Sequence, residues 1–156
     1  MSFGRTSIAS LALSAAALVG IALSEGYTDR AIIPVPGDVP TLGFGTTGGV
    51  KLGDKTTPPQ ALARKLADVQ QFEGALKQCV RVPLHQHEYD AYVSLSYNIG
   101  PTAFCGSSLV QLLNQAKYED ACQQILRWDK FKGRPLRGLT NRRQAEYQTC
   151  IGTTPG

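Results

Sequence analysis

The first strong pattern along the chain is an absence of charge. Thr6 to Ser24 reads TSIASLALSAAALVGIALS, 19 uncharged residues between Arg5 and Glu25. That is close to the ~20 residues an apolar helix needs to span a bilayer. The run is rich in Ala, Ser and Gly and short of large aliphatics, so insertion is only marginally favourable. Arg5 before it and acidic residues just after it favour an N-terminus left inside and the rest of the chain outside. Residues 28–57 then turn to Gly, Pro and Thr. IIPVPGDVP is not helical, because Pro34, Pro36 and Pro40 fix the backbone and remove donors. TLGFG and GVKLG alternate apolar with small or polar residues around Thr46-Thr47-Gly48-Gly49, which predicts a small hairpin or three-stranded sheet over about 41–53.

From Thr57 the period changes. Thr57 reads as a helix cap, with Pro58 and Pro59 in the first turn. Leu62, Leu66, Val69, Phe72 and Leu76 recur on one face, which predicts a long amphipathic helix. Further helices are predicted over about 85–98, 107–115, 118–128 and 139–150. There is no internal repeat. The predicted class is α+β and mainly helical: a small β-containing lobe, a long connecting helix and an α-helical lobe. A cleft between two lobes is a usual place for a ligand site.

Composition narrows the function. Sixteen Lys and Arg against twelve Asp and Glu give a net charge of +4 and a pI near 9.0, a mild excess that suits an anionic partner. The basic residues are scattered and do not alternate with aromatics, which argues against nucleic acid. Four cysteines, Cys79, Cys105, Cys122 and Cys150, include no CxxC pair, so zinc-ribbon and thioredoxin-like sites are disfavoured. If the N-terminus exports the chain, two disulfides follow, with three connectivities open. His85 and His87 lack a third ligand and read as a surface pair, so no metal is expected. No G-x-S-x-G elbow exists for Ser-His-Asp catalysis. Trp128 reads as packing. Arg142 and Arg143 read equally as solvated or as reaching carboxylates across the lobe.

The residue that raises the question of chemistry is Glu25, at the end of the apolar run and followed by Gly26. Glycosidic cleavage needs one carboxyl to protonate the leaving oxygen and a second group to stabilise charge or activate water. Partial burial at the end of an apolar helix would raise the pKa of such an acid. Taken alone, a solvated helix-end glutamate is the commoner explanation. Six further segments change the balance. EGY at 25–27, PTLGFGTT at 40–47, YNIG at 97–100, AFC with SSLVQLLN at 103–114, YEDAC with RW at 118–128, and GLTNRRQAEYQTC at 138–150 occur in one order. Together they resemble the phage-type lysozymes (glycoside hydrolase family 24) from about Leu18 to Cys150.

The resemblance implies a lysozyme-like fold and a muramidase that hydrolyses the β-1,4 bond from N-acetylmuramic acid to N-acetylglucosamine in peptidoglycan, without metal or cofactor. It makes Glu25 the general acid and Thr41 the residue lining the site near the attacking water. Tyr97 and Asn98, in YNIG, fall where sugar contact is expected. The family's second carboxylate usually lies about nine residues after the glutamate, where this chain has Pro34. The nearest acids are Asp29 and Asp38. Asp38, in a Pro-Gly-Asp turn leading into the threonine strand, is preferred; Asp29 would lie about a turn past Glu25 if the helix continued. The resemblance also implies the pairings Cys79–Cys105 and Cys122–Cys150.

In such a fold Glu25 ends the first helix of the enzyme, so residues from about Ser14 to Ser24 must serve both that helix and the apolar run. A permanent anchor would hold the helix in lipid, and cleavage at the end of the run would remove it. The reading that meets both demands resembles a signal-arrest-release endolysin: residues 1–24 form the apolar segment and 25–156 the catalytic domain of a monomer. The chain is exported to the periplasm of a Gram-negative host, tethered to the inner membrane, then released. A cleaved signal peptide and a permanent anchor are the alternatives. Two rival functions stand beside hydrolysis: a lytic transglycosylase on the same fold, and a membrane-tethered protein that binds peptidoglycan without cutting it.

Overall fold

The computed structural model describes residues 4–153; residues 1–3 of the apolar segment and 154–156 at the C-terminus lie outside them. The chain divides into two compact units, one made of Ala15–Gln71, the other of the residues up to Ser14 together with those from Phe72 onward.

The Ala15–Gln71 unit begins with α1, Ala15–Glu25. Its alanines favour helix, and Leu18, Ile21 and Ala22 bury one stripe. Val19 and Leu23 leave apolar surface exposed on the others. Strand β1 (Thr28–Ile32) pairs antiparallel with β2 (Thr41–Gly43), and the register shifts between Thr28–Gly43 and Ile32–Thr41. The sheet predicted over 41–53 is therefore displaced. Its second strand is TDRAI, upstream of the prolines, and the proline segment is the connection. Residues near 55 add only a bridge between Arg30 and Lys55. Helix α2, Pro58–Cys79, starts where the cap was expected, with the Thr57 carbonyl accepting from Ala61 N–H. Its apolar face is rotated from the predicted one: Ala61, Lys65, Val69 and Leu76 are buried, while Leu66 is exposed. The boundary between the two units falls within this helix, at Gln71–Phe72.

The other unit is helical: α3 (Gln86–Ile99), α4 (Pro101–Cys105), α5 (Ser108–Asn114), α6 (Tyr118–Gln124) and α7 (Arg137–Ile151). α3 packs chiefly on α7, and α5 on α6. Tyr89, Tyr92, Leu95, Phe104, Leu109 and Ile125 are fully buried, each worth roughly 1.5–3 kcal/mol of apolar burial. The predicted helix over 118–128 tightens into a 3₁₀ turn at Ile125–Arg127. Two elements were not anticipated: α4, and a hairpin of β3 (Lys130–Phe131) with β4 (Arg134–Pro135). The disulfides Cys79–Cys105 and Cys122–Cys150 both form, as the resemblance implied.

The head of the apolar run is also docked in this unit. Arg5 donates Nε and an Nη to the buried Glu88 carboxylate, at 2.9 and 3.0 Å, and its guanidinium covers the Tyr118 ring. Thr6 and Leu84 exchange both backbone hydrogen bonds. Leu13 N–H donates to Glu73 (2.7 Å), and Ser14 donates its N–H and hydroxyl to Asp90. The carbonyls of Leu11 and Ala12 accept from Lys77 and Gln86. Uncharged in sequence, residues 6–14 are thus held largely through their backbone, by the buried Glu73 and Asp90 carboxylates, by Lys77 and Gln86, and by the Leu84 backbone.

Candidate active site

Glu25, Thr41, Asp38 and Asp29 all lie in the Ala15–Gln71 unit. Glu25 is the last residue of α1 and is exposed, so the expected partial burial is not found. The backbone at Gly45 comes close to its carboxylate. β2 runs into a closed turn, in which Leu42 and Thr46 exchange N–H···O bonds of 2.9 and 3.0 Å. Gly43 and Gly45 inside that turn have φ of +66° and +87°. A Cβ on Gly45 would lie 3.2 Å from Glu25 Oε2, and one on Gly43 would lie 2.8 Å from the Ala61 Cβ of α2. Each glycine in TLGFG therefore has its own reason: Gly43 lets α2 approach, and Gly45 makes room for the acid. The far side of the turn is pinned by Thr46, whose hydroxyl donates to Asp68 of α2 at 2.8 Å, and by Arg64, which donates to the Gly48 carbonyl. Tyr27 packs on Phe44, ring centroids 5.1 Å apart.

Thr41 opens β2, half-buried, its hydroxyl 3.5 Å from the Val39 carbonyl. Asp38 is exposed at the end of the proline connection; its N–H donates to the Val35 carbonyl and its Oδ1 accepts from Val39 N–H. Asp29 is not on a continuation of α1. It sits in β1, exposed, with its carbonyl accepting from Thr56 N–H.

Tyr97 and Asn98 close the last turn of α3 in the helical unit. Tyr97 packs edge-on against Phe72, at 4.8 Å. Asn98 is exposed, and its Oδ1 accepts from Arg143 Nη1 at 2.9 Å. Neither reading of Arg143 as solvated or reaching across the lobe describes this arrangement. It is 1% exposed, donates also to the Trp128 carbonyl, and pairs with Glu146 one turn along α7. Burial raises the Glu146 carboxyl above its ordinary value, opposed by Arg143 and by the Ser94 hydroxyl that donates to it; burial lowers the Arg143 guanidinium. The i,i+3 pairing of Arg143 and Glu146 was the available sequence signal for this cluster. His85 and His87 are half-buried and stacked: the His85 N–H is capped by Glu88, and His87 Nδ1 meets the Cys150 carbonyl. Among the described residues no three His, Cys, Asp or Glu side chains are grouped to hold a metal.

Comparison with known proteins identifies the family and the fold. The phage lysozyme family model matches residues 22–146. The SAR-endolysin of Pseudomonas phage phiKMV is 38% identical over 141 residues, covering 88% of this chain and 87% of its own. The endolysin of Escherichia coli O157:H7 phage FAHEc1 superposes with a TM-score of 0.83 at 33% identity, over 94% of this chain and 98% of its own. The P1 phage endolysin has been solved in two forms. Its active form covers 96% of both chains with a TM-score of 0.78 at 24% identity. Its secreted inactive form reaches 0.56 at 22% identity, over 90% of this chain and 96% of its own. The chain belongs to the phage lysozyme family and is an enzyme of the lysozyme–endolysin class, with muramidase activity on peptidoglycan.

Proposed function

We propose that Glu25 is the general acid of this muramidase, protonating the glycosidic oxygen as the bond to the muramic acid C1 breaks, while a water adds to C1 and loses its proton. Thr41 holds that water through its hydroxyl. Asp38 supplies the second carboxylate that stabilises the positive charge developing on the ring or takes the proton. Tyr97 and Asn98 contact the glycan. The observation that carries the reading is the approach of the Gly45 backbone to the Glu25 carboxylate. A glycine-built turn anchored on α2 and continuing the strand that begins with Thr41 lies close to this carboxylate, and close positioning of the acid is what general acid catalysis requires. Clearing of permeabilised Gram-negative cells tests it. Glu25→Gln, at equal folding by circular dichroism, is expected to lose roughly 10²–10⁴-fold of the rate. Asp38→Asn is expected to lose activity and Asp29→Asn to keep it. Equal clearing by wild type and Glu25→Gln would overturn the assignment. A reducing sugar end is the expected product; a 1,6-anhydro end would mark a transglycosylase.

The site of action is the periplasm during phage lysis, and the apolar segment up to Ser24 is the tether that precedes it. Two features support release rather than permanent anchoring. The run is interrupted in the folded chain by the 3₁₀ turn Ile8–Ser10 and by an extended stretch, and only its part within α1 is α-helical. Val19 and Leu23 remain exposed on α1, as suits a helix that also has to be compatible with lipid.

A further inference from the structure

From the buried contacts of α7 we infer that Arg143 is a positioning residue for substrate binding: it fixes the side-chain amide of Asn98 so that the two Nδ2–H donors face outward. This rests on the reading of Asn98 as a glycan contact. The direction of an asparagine amide is set by its partners, and here the partner leaves one choice. A guanidinium has five donors and no acceptor, so the atom 2.9 Å from Arg143 Nη1 has to be the oxygen. The nitrogen then points away, and Asn98 is exposed, so its donors are offered to a ligand. The guanidinium is itself immobile. It is 1% exposed, with Nη1 also on the Trp128 carbonyl at 3.3 Å and Nη2 on Glu146 at 3.2 Å. Glu146 is in turn held by the Ser94 hydroxyl from α3. A rigid donor pair selects an acceptor. The glycan groups that fit are an N-acetyl carbonyl or the lactyl carboxylate of a muramic acid unit, and a sugar hydroxyl fits less well because it gains less from two donors.

The test is a kinetic split on soluble peptidoglycan glycan strands, with folding followed by thermal melting. Asn98→Asp keeps the oxygen that faces Arg143 and removes the donors. It is expected to keep its melting temperature and kcat while KM rises about tenfold, the value of one hydrogen bond of roughly 1.4 kcal/mol. Arg143→Met with Glu146→Gln removes both buried charges together, so neither is left uncompensated. This pair is expected to raise KM several-fold, and adding Asn98→Asp to it is expected to raise KM no further than Asn98→Asp does alone, the non-additivity that marks one coupled unit. Arg143→Lys, which restores a donor, is expected to recover part of the loss. If Asn98→Asp raises KM but the Arg143 variants leave it unchanged, Arg143 is structural only and the inference fails while the glycan contact stands. If Asn98→Asp leaves KM unchanged, the contact itself is wrong and the inference falls with it. Should the Arg143 variants not fold, side-chain NH₂ relaxation of Asn98 in the wild-type protein decides: rigid donors uphold the inference and freely reorienting ones overturn it.

Discussion

At the residue scale, the two glycines of the TLGFG turn separate stability from catalysis. Gly43 meets the backbone-bound Cβ of Ala61, at 2.8 Å from where its own Cβ would sit, and has φ of +66°. Nothing there can yield cheaply. Gly43→Ala is expected to cost about 2–4 kcal/mol, from left-handed strain together with overpacking, read as a lower melting temperature. Gly45 has the same kind of conformation, at +87°, but the atom its Cβ would crowd is the end of a flexible side chain, Glu25 Oε2. Gly45→Ala is expected to cost only the strain, about 1–2 kcal/mol, while cell-wall clearing falls about 100-fold because the carboxylate is displaced. A Gly45→Ala variant that clears at the wild-type rate would show that the turn does not position the acid. Glu25 was singled out by its neighbours in sequence. Its exposure was not readable there, because burial depends on what packs beside the helix end.

Elements carry a different lesson, best seen in residues 4–14. Their sequence reads as continuous apolar helix, yet they fold as a 3₁₀ turn and an extended strap. What decides this is a set of partners distant in sequence. Glu73, Glu88 and Asp90, all buried, accept from Leu13, Arg5 and Ser14. A buried carboxylate has to be satisfied, and these donors complete what Tyr89, His85 and Gln86 supply from within the helical unit. Removing Arg5 should therefore loosen the strap from its end. Arg5→Ala is expected to cost about 1–2 kcal/mol and to speed amide exchange at Thr6 and Leu84, which bond one another, leaving the α3–α7 core protected. Uniform loss of protection across the unit would refute this local role. The periodicity of α2 shows a milder form of the same limit. Five apolar positions located the helix, but the buried face runs through Lys65 and not Leu66. Period constrains a helix to one apolar stripe within about a residue, and packing against its neighbours sets the final rotation.

The whole molecule brings together export, release and catalysis. The same 19 uncharged residues would make a helix about 28 Å long at 1.5 Å per residue, close to the ~30 Å hydrocarbon core. Folded, they supply the strap and nearly all of α1. The proposed release needs both states to be accessible, and an Ala-, Ser- and Gly-rich run suits that, since its insertion into lipid is only marginally favourable. In cells producing the full chain, the protein is expected in the membrane fraction before depolarisation. Within minutes of adding an uncoupler it is expected in the soluble periplasmic fraction at full length. A soluble fragment lacking the N-terminal residues would indicate a cleaved signal peptide, and persistent membrane retention a permanent anchor.

The sequence by itself determined the class of the fold and the order of its longer helices, and it singled out Glu25 as the candidate acid. Helical period, glycine punctuation and short motifs are local properties, and local properties survive without coordinates. The cysteine count limited the disulfides to three connectivities, and the family resemblance singled out the pair that forms. Only the tertiary structure decided the second strand, because TDRAI carries no strand signal of its own until Thr41–Gly43 lies beside it. Only the structure could join Arg143 to Asn98, 45 residues apart, or three acids to the strap at the head of the chain. Hydrogen bonds across such separations follow from which helices pack together, and that choice belongs to the core as a whole.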